Sequence, residues 1–320
     1  MSHPTAPRPE LRVVSLLPSA TEIVCLVGGR PNLVGVSHEC DFPAGVEALP
    51  RLTASKVSLS PRSLQIDQDV RKLMTHALAV YDIDTEELQR LAPDFIVTQD
   101  LCDVCAVSFA DVERACNELL PNARIVNLHP TRWSEVMDDI ERVAEAFGVT
   151  ERGATEVAEL ERGRAAVAQR AAALGSRPNV LTIEWLDPVM VGGTWMPELV
   201  EWAGGHALVT ETGQHAPTLT KEQLAALDPA PDVVLVKPCG FPLERTFGER
   251  DVLAAIFDGL DWPAVKSGAI WVADGNAYFN RPGPRLLDSL EILAACTHPE
   301  AFADLAEKHA GAFVRLADTK

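Results

Sequence analysis

The sequence predicts an α/β protein with two doubly wound parallel-sheet lobes joined by one long connecting helix. The main observation is an internal repeat in which an apolar run, a helix and a second apolar run follow one another. Gly28-Gly29 ends the helix in the first copy, and Gly204-Gly205 ends it in the second. A further echo pairs Pro93-Asp94 with Pro231-Asp232, each at the start of an apolar run. Short apolar strands separated by helices are typical of parallel sheets covered by helices.

The N-terminal α/β lobe is predicted over residues 11–130. Its strands are expected at 13–16, 33–36, 95–98 and 124–128. The repeat offset is 176 residues between Glu22 and Glu198 but only 138 between Pro93 and Pro231. The difference predicts an insertion of about 38 residues within Ser37 to Asp82. The C-terminal α/β lobe is predicted over 176–300, with strands at 180–183, 207–209, 233–236 and 269–273, followed by a C-terminal helix and tail over 301–320.

A helical segment over residues 131–175 connects the lobes in this prediction. Its second part, 151–174, is rich in Ala, Glu and Arg, which favour helix. Val157, Leu160, Val167 and Leu174 recur at helical spacing and indicate one long helix with a narrow apolar face.

Composition excludes several classes of protein. The chain has 28 Lys and Arg against 46 Asp and Glu, a net charge of −18 that repels nucleic acid and anionic lipid. No apolar run is long enough for a membrane span, so no membrane insertion is expected. The first ten residues are polar and rich in Pro, unlike a signal peptide, and we therefore expect a cytoplasmic protein. The seven cysteines are an odd set, expected to be mostly free thiols.

The candidate binding site is predicted at the carboxyl ends of the strands, where open α/β sheets bind ligands. If the two lobes face each other, the loops after their strands line one cleft for a small molecule. The candidate ligand contacts are His38, Glu39, Tyr81, Gln99, Asp100, Glu184, Trp185, Trp195, Phe241, Tyr278, Asn280 and Arg281.

A possible thiol centre is the second candidate. Cys102 and Cys105 form a CxxC motif, and Cys40 and Cys239 also follow predicted strands. These four are the candidate ligands for zinc or another soft metal. One CxxC alone is weak evidence for zinc, and small buried cysteines are the main alternative, with redox exchange as another. An enzyme therefore stays open as the alternative, with Cys102 or Cys105 as nucleophile or metal ligand, His38 as base or ligand, and Glu39 or Glu184 as proton carrier.

Other polar residues are assigned structural roles. Ser19 and Thr21 fall where a helix N-cap is expected. Asp94 and Asp232 occupy turn positions before strands. Cys25, Cys116 and Cys296 lie at apolar helix positions and are expected to pack in the core.

Four motifs carry a resemblance to a known family. They are Ser37-His38-Glu39-Cys40-Asp41-Phe42-Pro43, the run from Thr98 to Val107, Glu184-Trp185-Leu186-Asp187-Pro188, and the run from Asp274 to Arg285. From Val13 to about Pro299 the sequence resembles the substrate-binding proteins of ABC importers for vitamin B12 and iron chelates, and more closely the branch labelled cobalamin-binding protein. The resemblance implies a periplasmic-binding-protein-like fold, cobalamin or a related corrinoid as ligand, and a role in binding. Transport members are secreted or lipid-anchored, so docking to an importer stays an open question for this chain.

Overall fold

The structure, a computed structural model, describes residues 6–56, 60, 62–75, 81–99, 113 and 119–319. The chain forms two compact units. The first is built mostly from residues before Leu160. The second is built mostly from Glu161 onward, and it also includes residues 60–67 and 131–133. Parallel sheets and surrounding helices confirm the predicted α/β class.

The first unit contains a four-stranded parallel sheet in the order β2-β1-β5-β6. Two further strands, β3 and β4, pair antiparallel within the predicted insertion. The strands are β1 (Val13–Ser15), β2 (Leu33–Val36), β3 (Thr53–Ser55), β4 (Tyr81–Ile83), β5 (Phe95–Gln99) and β6 (Arg124–Leu128). The helices in this part of the chain are α1 (Pro18–Leu26), α2 (Ser63–Thr75), α3 (Thr85–Leu91) and α4 (Trp133–Phe147).

The second unit contains a six-stranded mixed sheet in which β12, β11, β10, β7 and β8 are consecutive neighbours and β9 pairs with β7. Its strands are β7 (Asn179–Trp185), β8 (Met190–Val191), β9 (His206–Ala207), β10 (Val233–Val236), β11 (Ile270–Ala273) and β12 (Phe313–Arg315). Its helices after the connector are α6 (Met196–Trp202), α7 (Lys221–Ala225), α8 (Leu243–Phe247), α9 (Arg250–Phe257), α10 (Pro263–Ser267), α11 (Leu286–Thr297) and α12 (Ala303–Lys308). The sequence indicated neither β8 nor the antiparallel strand β12, which the C-terminal tail contributes.

The connector contains the predicted long helix, α5 (Thr150–Ala172). Leu160 and Val167 are buried, whereas most of the remaining surface of the helix is exposed or half-buried, as the narrow apolar face predicts. No helix within the described ranges is both long and apolar enough to cross a membrane.

The Pro-Asp echo has the same structural role in both units. Asp94 Oδ2 accepts the backbone N–H of Arg12 at 2.8 Å, and Asp232 Oδ2 accepts that of Asn179 at 2.8 Å. In return, each aspartate donates its backbone N–H to the carbonyl of the same partner. These two reciprocal hydrogen bonds hold the start of β5 against β1 in the first unit and the start of β10 against β7 in the second. The structural assignment of both aspartates is therefore confirmed.

The Gly-Gly echo also has one physical cause in both units. Gly28 has a φ of +87° and Gly204 a φ of +83°, a left-handed conformation that glycine adopts without strain. The following glycine then donates its N–H back into the helix, from Gly29 to the carbonyl of Val24 and from Gly205 to that of Val200. Both motifs are thus helix C-terminal caps.

The predicted N-cap role of Ser19 and Thr21 is wrong. Helix α1 begins at Pro18 after the N-cap residue Leu17, so both residues lie inside its first turns. Proline tolerates the first helical position because its missing N–H has no partner there. Thr21 is fully buried and donates its hydroxyl to Ser15 Oγ at 2.8 Å, which ties α1 to β1.

Candidate functional site

The carboxyl edge of the second unit's sheet carries a buried ionic network. The register pairs Ile183 of β7 with Val236 of β10, so the next residues, Glu184 and Lys237, lie side by side. Lys237 Nζ donates to Glu184 Oε2 at 2.9 Å and to Asn280 Oδ1 at 3.0 Å. The lysine side chain is 1% exposed, whereas that of Glu184 is 22% exposed. The network therefore buries its ammonium and leaves part of the Glu184 side chain exposed.

Asn280 is fixed in this network by the loop that carries it. Its Nδ2 donates to the backbone carbonyls of Lys237 and Gly275 at 3.0 and 2.9 Å. An amide oriented by two carbonyl acceptors directs its own oxygen toward the ammonium. The loop after β11 and the end of β10 thus form one rigid polar element.

Two further hydrogen bonds hold the loop at Phe279, which has a φ of +67°. Its N–H donates to Ser289 Oγ at 2.9 Å, and its carbonyl accepts Trp195 Nε1 at 2.7 Å. Both Trp195 and Phe279 are buried. Trp195, predicted as a ligand contact, therefore has a demonstrable structural contact within the unit, and its role toward a ligand stays a prediction.

An aromatic group lies beside the network. Trp185 and Phe241 pack edge to face, with ring centroids 5.2 Å apart. The Arg245 guanidinium lies 3.9 Å from the centroid of Phe241 and donates to the carbonyl of Ser60 at 3.0 Å. Phe241 is 1% exposed, so Trp185, which is half-buried, is the member of this pair with surface to offer.

The remaining candidates in this loop are less buried or already bonded. Tyr278 is half-buried, with its ring 6.4 Å from that of His309 and the Arg285 guanidinium 5.6 Å from its centroid. Arg281 is buried and donates to Asn276 Oδ1 at 3.1 Å.

The carboxyl edge of the first unit's sheet is built around His38. Its Nδ1 lies 2.7 Å from Thr53 Oγ1, and its backbone N–H donates to the same oxygen at 3.0 Å. Arg51 braces the turn by donating to the carbonyls of Ser37 and Cys40. Burial, and then the charge of Arg51, hold the pKa of His38 below its usual value. The imidazole is therefore neutral at neutral pH, the form that binds metals.

Gln99 ends β5 at the same edge, and Glu39 is exposed next to His38. Gln99 is 4% exposed, and its Oε1 has no hydrogen-bond partner among the described residues. A buried amide oxygen of this kind is unusual in a folded protein. Tyr81 begins β4, and Asp100 lies outside the described residues.

The four cysteines of the proposed thiol centre are not tested as a group. Cys40 belongs to the first unit and is fully buried, with its Sγ 3.1 Å from Thr21 Oγ1. Cys239 belongs to the second unit and is half-buried. Cys102 and Cys105 lie outside the described residues. Nothing observed supports the metal-binding part of the prediction.

Two of the three cysteines expected in the core are described, and both have a free thiol. Burial raises the pKa of Cys25 to about 11 and that of Cys296 well above its usual value. Such thiols are poor nucleophiles, in agreement with packing roles.

One group outside the predicted site has the composition of a metal centre. Asp288, Glu291 and His309 place ligand atoms within 4.8 Å of one another. Lys308 Nζ and His309 Nε2 both lie against Glu291 Oε2, at 2.5 and 2.6 Å. Although burial opposes it, these hydrogen bonds hold the pKa of Glu291 below its usual value. The Lys308 ammonium supplies the positive charge that a metal ion would supply in a metal centre. Through these hydrogen bonds the cluster joins α11 to α12.

Three residues that shape these edges were not among the predicted site residues: Lys237, Thr53 and Arg245. Lys237 alone had a usable signal. The offset of 138 that relates Pro93 to Pro231 also relates Gln99, a predicted contact, to Lys237. Thr53 and Arg245 are brought to the site by the fold and have no motif of their own.

The class that these features define is an α/β ligand-binding protein built of two units. A family model described as periplasmic binding protein matches residues 13–277. The chain belongs to that family, and the resemblance stated from the sequence is confirmed.

Similar proteins agree with this assignment. The chain is 22% identical over 285 residues to a vitamin B12-binding protein of Photorhabdus laumondii, covering 88% of this chain and 86% of the relative. A periplasmic heme binding protein from Pseudomonas aeruginosa matches with a TM-score of 0.68 and 21% identity, over 90% of this chain and 92% of that one. The periplasmic vitamin B12 binding protein BtuF of Vibrio cholerae matches with a TM-score of 0.65 and 19% identity, over 92% and 98%. At these identities the solved structures establish the fold.

The predicted cytoplasmic location is wrong. The family is that of the periplasmic binding proteins, and the relatives with solved structures include several described as periplasmic. Family membership points to a location outside the cytoplasm. The prediction failed because it relied on the polar, Pro-rich start of the sequence, which does not decide location.

Proposed function

We propose that this protein binds a corrinoid or another compact metal chelate, with cobalamin or a related corrinoid as the preferred class. The observation that carries the proposal is His38, a neutral imidazole whose ring is held by Thr53 at the carboxyl edge of the first sheet. A hydrogen bond to one ring nitrogen fixes the orientation of a histidine and is the usual arrangement of histidine metal ligands. We assign His38 to the metal of the chelate.

The second unit supports the same proposal through its polar and aromatic edge. Trp185 offers a half-buried ring for the apolar part of a macrocycle, and Glu184 and Asn280 offer polar groups for its periphery. Relatives described as binding vitamin B12 or heme support a ligand of that shape. Delivery to an ABC importer belongs to this proposal, because the family serves such importers. No contact among the described residues favours the enzyme alternative.

The test is a titration of the purified protein with hydroxocobalamin, followed by corrin absorption and tryptophan fluorescence, with hemin titrated in parallel. Replacement of the water on cobalt by imidazole should shift the corrin band. His38→Ala should abolish the shift and weaken binding by about tenfold or more, the effect of losing one strong contact. His215→Ala is the matched control, because His215 is an exposed histidine in the second unit. No spectral or fluorescence change with either compound at ligand excess would overturn the proposal.

A further inference from the structure

We infer that the second unit selects a chelate whose periphery carries hydrogen-bond donors, such as carboxamides, over one whose periphery carries carboxylates. This inference rests on the proposed function and specifies the ligand class. It follows from which charges at this edge are exposed and which are already neutralised within the unit.

Three of the positive groups near this edge are committed to protein partners. The Lys237 ammonium is buried and held by Glu184 and Asn280, as described above. Arg281 is buried against Asn276, and Arg245 lies over Phe241 and donates to Ser60. A ligand carboxylate that loses its water at this edge could bind one of these three donors only if the donor left its present partner.

The acceptor at the edge is the carboxylate of Glu184. Its Oε2 is bound to Lys237, and the side chain is 22% exposed, so part of the Glu184 side chain is accessible at a rigid strand end. An amide N–H of a ligand can donate to it in a charge-assisted hydrogen bond. A ligand carboxylate at the same place would meet a like charge and lose its own hydration without compensation.

Corrinoids and hemes differ in this respect. The periphery of cobalamin carries carboxamide side chains, whereas that of heme carries two propionates. The edge of the second unit therefore matches a corrinoid. Selectivity here comes from rejecting carboxylates as well as from binding amides.

The experiment compares ligands that differ by one amide. Hydroxocobalamin and its separated monocarboxylic acid isomers, made by hydrolysing one peripheral amide, are titrated against the whole protein at neutral pH. At least one isomer should bind about tenfold more weakly than hydroxocobalamin, the effect of one charge-assisted hydrogen bond. Hemin should also bind more weakly than hydroxocobalamin.

Variants then assign the effect to one side chain. Glu184→Gln should reduce the discrimination against that isomer at least severalfold, because the repelling charge is gone. Glu307→Gln, the same substitution at an exposed residue of α12, should leave the discrimination unchanged. The comparison of isomers on the unmodified protein does not depend on how well the variant folds.

The outcomes separate the two proposals. Equal affinity for hydroxocobalamin and every isomer, or tighter binding of hemin, overturns the inference while metal-chelate binding stands. The same discrimination in Glu184→Gln as in the unmodified protein also overturns it. Failure of both hydroxocobalamin and hemin to bind overturns the proposed function itself.

Discussion

The Glu184–Lys237 pair makes an asymmetric prediction for stability. In Glu184→Gln the buried ammonium of Lys237 loses its counter-charge and keeps only amide oxygens, from Gln and from Asn280. In Lys237→Met the ammonium is replaced by an apolar chain of similar length, and Glu184 regains water through its exposed portion. Removing the more exposed partner should therefore be the more damaging change.

The magnitudes follow from burial. Breaking a fully buried ion pair by removing one partner costs about 3 to 5 kcal/mol. Because Gln retains an oxygen for Lys237, we expect Glu184→Gln to lower the free energy of unfolding by about 2 kcal/mol. Lys237→Met should lower it by about 1 kcal/mol, since methionine fills the buried space, Glu184 can bind water instead, and the Asn280 oxygen loses its partner. The double variant should be more stable than Glu184→Gln alone.

The assay is urea unfolding followed by tryptophan fluorescence and circular dichroism, with all four proteins of the cycle measured in the same buffer. The m-values should agree, so that midpoints report stability. If Lys237→Met proves more destabilising than Glu184→Gln, or if adding it to Glu184→Gln lowers stability further, the ammonium is not held as a buried charge and this reasoning is refuted.

Three further predictions concern residues that hold each unit together. Glu249→Ala should lower the free energy of unfolding by about 3 kcal/mol, because this buried carboxylate accepts both the backbone N–H and the hydroxyl of Ser63 at the start of α2. The rate of hydrogen exchange of residues 62–67 should rise in the variant. An unchanged exchange rate would contradict this prediction. Burial, opposed by the nearby arginine of the same helix, raises the pKa of Asp139 to about 7. The folded state therefore holds a proton that the unfolded state releases near pH 4. The free energy of unfolding should fall by up to about 4 kcal/mol as pH rises from 4 to 7. In melting-temperature measurements across this pH range, Asp139→Asn should not show the fall. A pH profile of melting temperature identical to that of the unmodified protein would argue against this prediction. In urea unfolding, Asp232→Ala should lower the free energy of unfolding by about 1 kcal/mol more than Asp94→Ala does. The reason is that Asp232 is less exposed and also accepts a hydrogen bond from the Asn179 side-chain amide. Equal losses would show that the backbone contact alone matters.

The fold was predictable because its strongest signals are local and occur twice. Gly28 and Gly204 end helices because each adopts the left-handed conformation, a property of a single residue that the sequence shows directly. Asp94 and Asp232 follow proline at strand starts, and their neighbours form the apolar runs of β5 and β10. The edge strand β12 escaped prediction because Phe313–Arg315 is short, and its pairing with β11 depends on the rest of the sheet being present.

The candidate site was only partly predictable. His38 and Glu184 follow strands, and strand ends in α/β sheets are where ligands bind. Their partners are set by distance through the fold: Thr53 lies fifteen residues from His38, and Lys237 lies 53 residues from Glu184. Burial also changes what a residue type can do. Cys40 and Phe241 read as site residues from their position, yet each is at most 1% exposed in its own unit.

The repeat separates residues that build the fold from residues that distinguish the two units. The pairing of Arg12 with Asp94 and of Asn179 with Asp232 aligns the strands, and in that alignment Gln99 corresponds to Lys237. Both side chains are buried at the carboxyl end of a central strand, a position that a purely structural role would fill with an apolar residue. The lysine is neutralised by Glu184, which in the same alignment replaces Leu17, the apolar N-cap of α1. The second unit therefore uses this position for a charged pair, and the first for an amide oxygen that no described residue satisfies. Because a buried acceptor without a partner is costly, we expect a ligand donor group that reached Gln99 to gain from this contact.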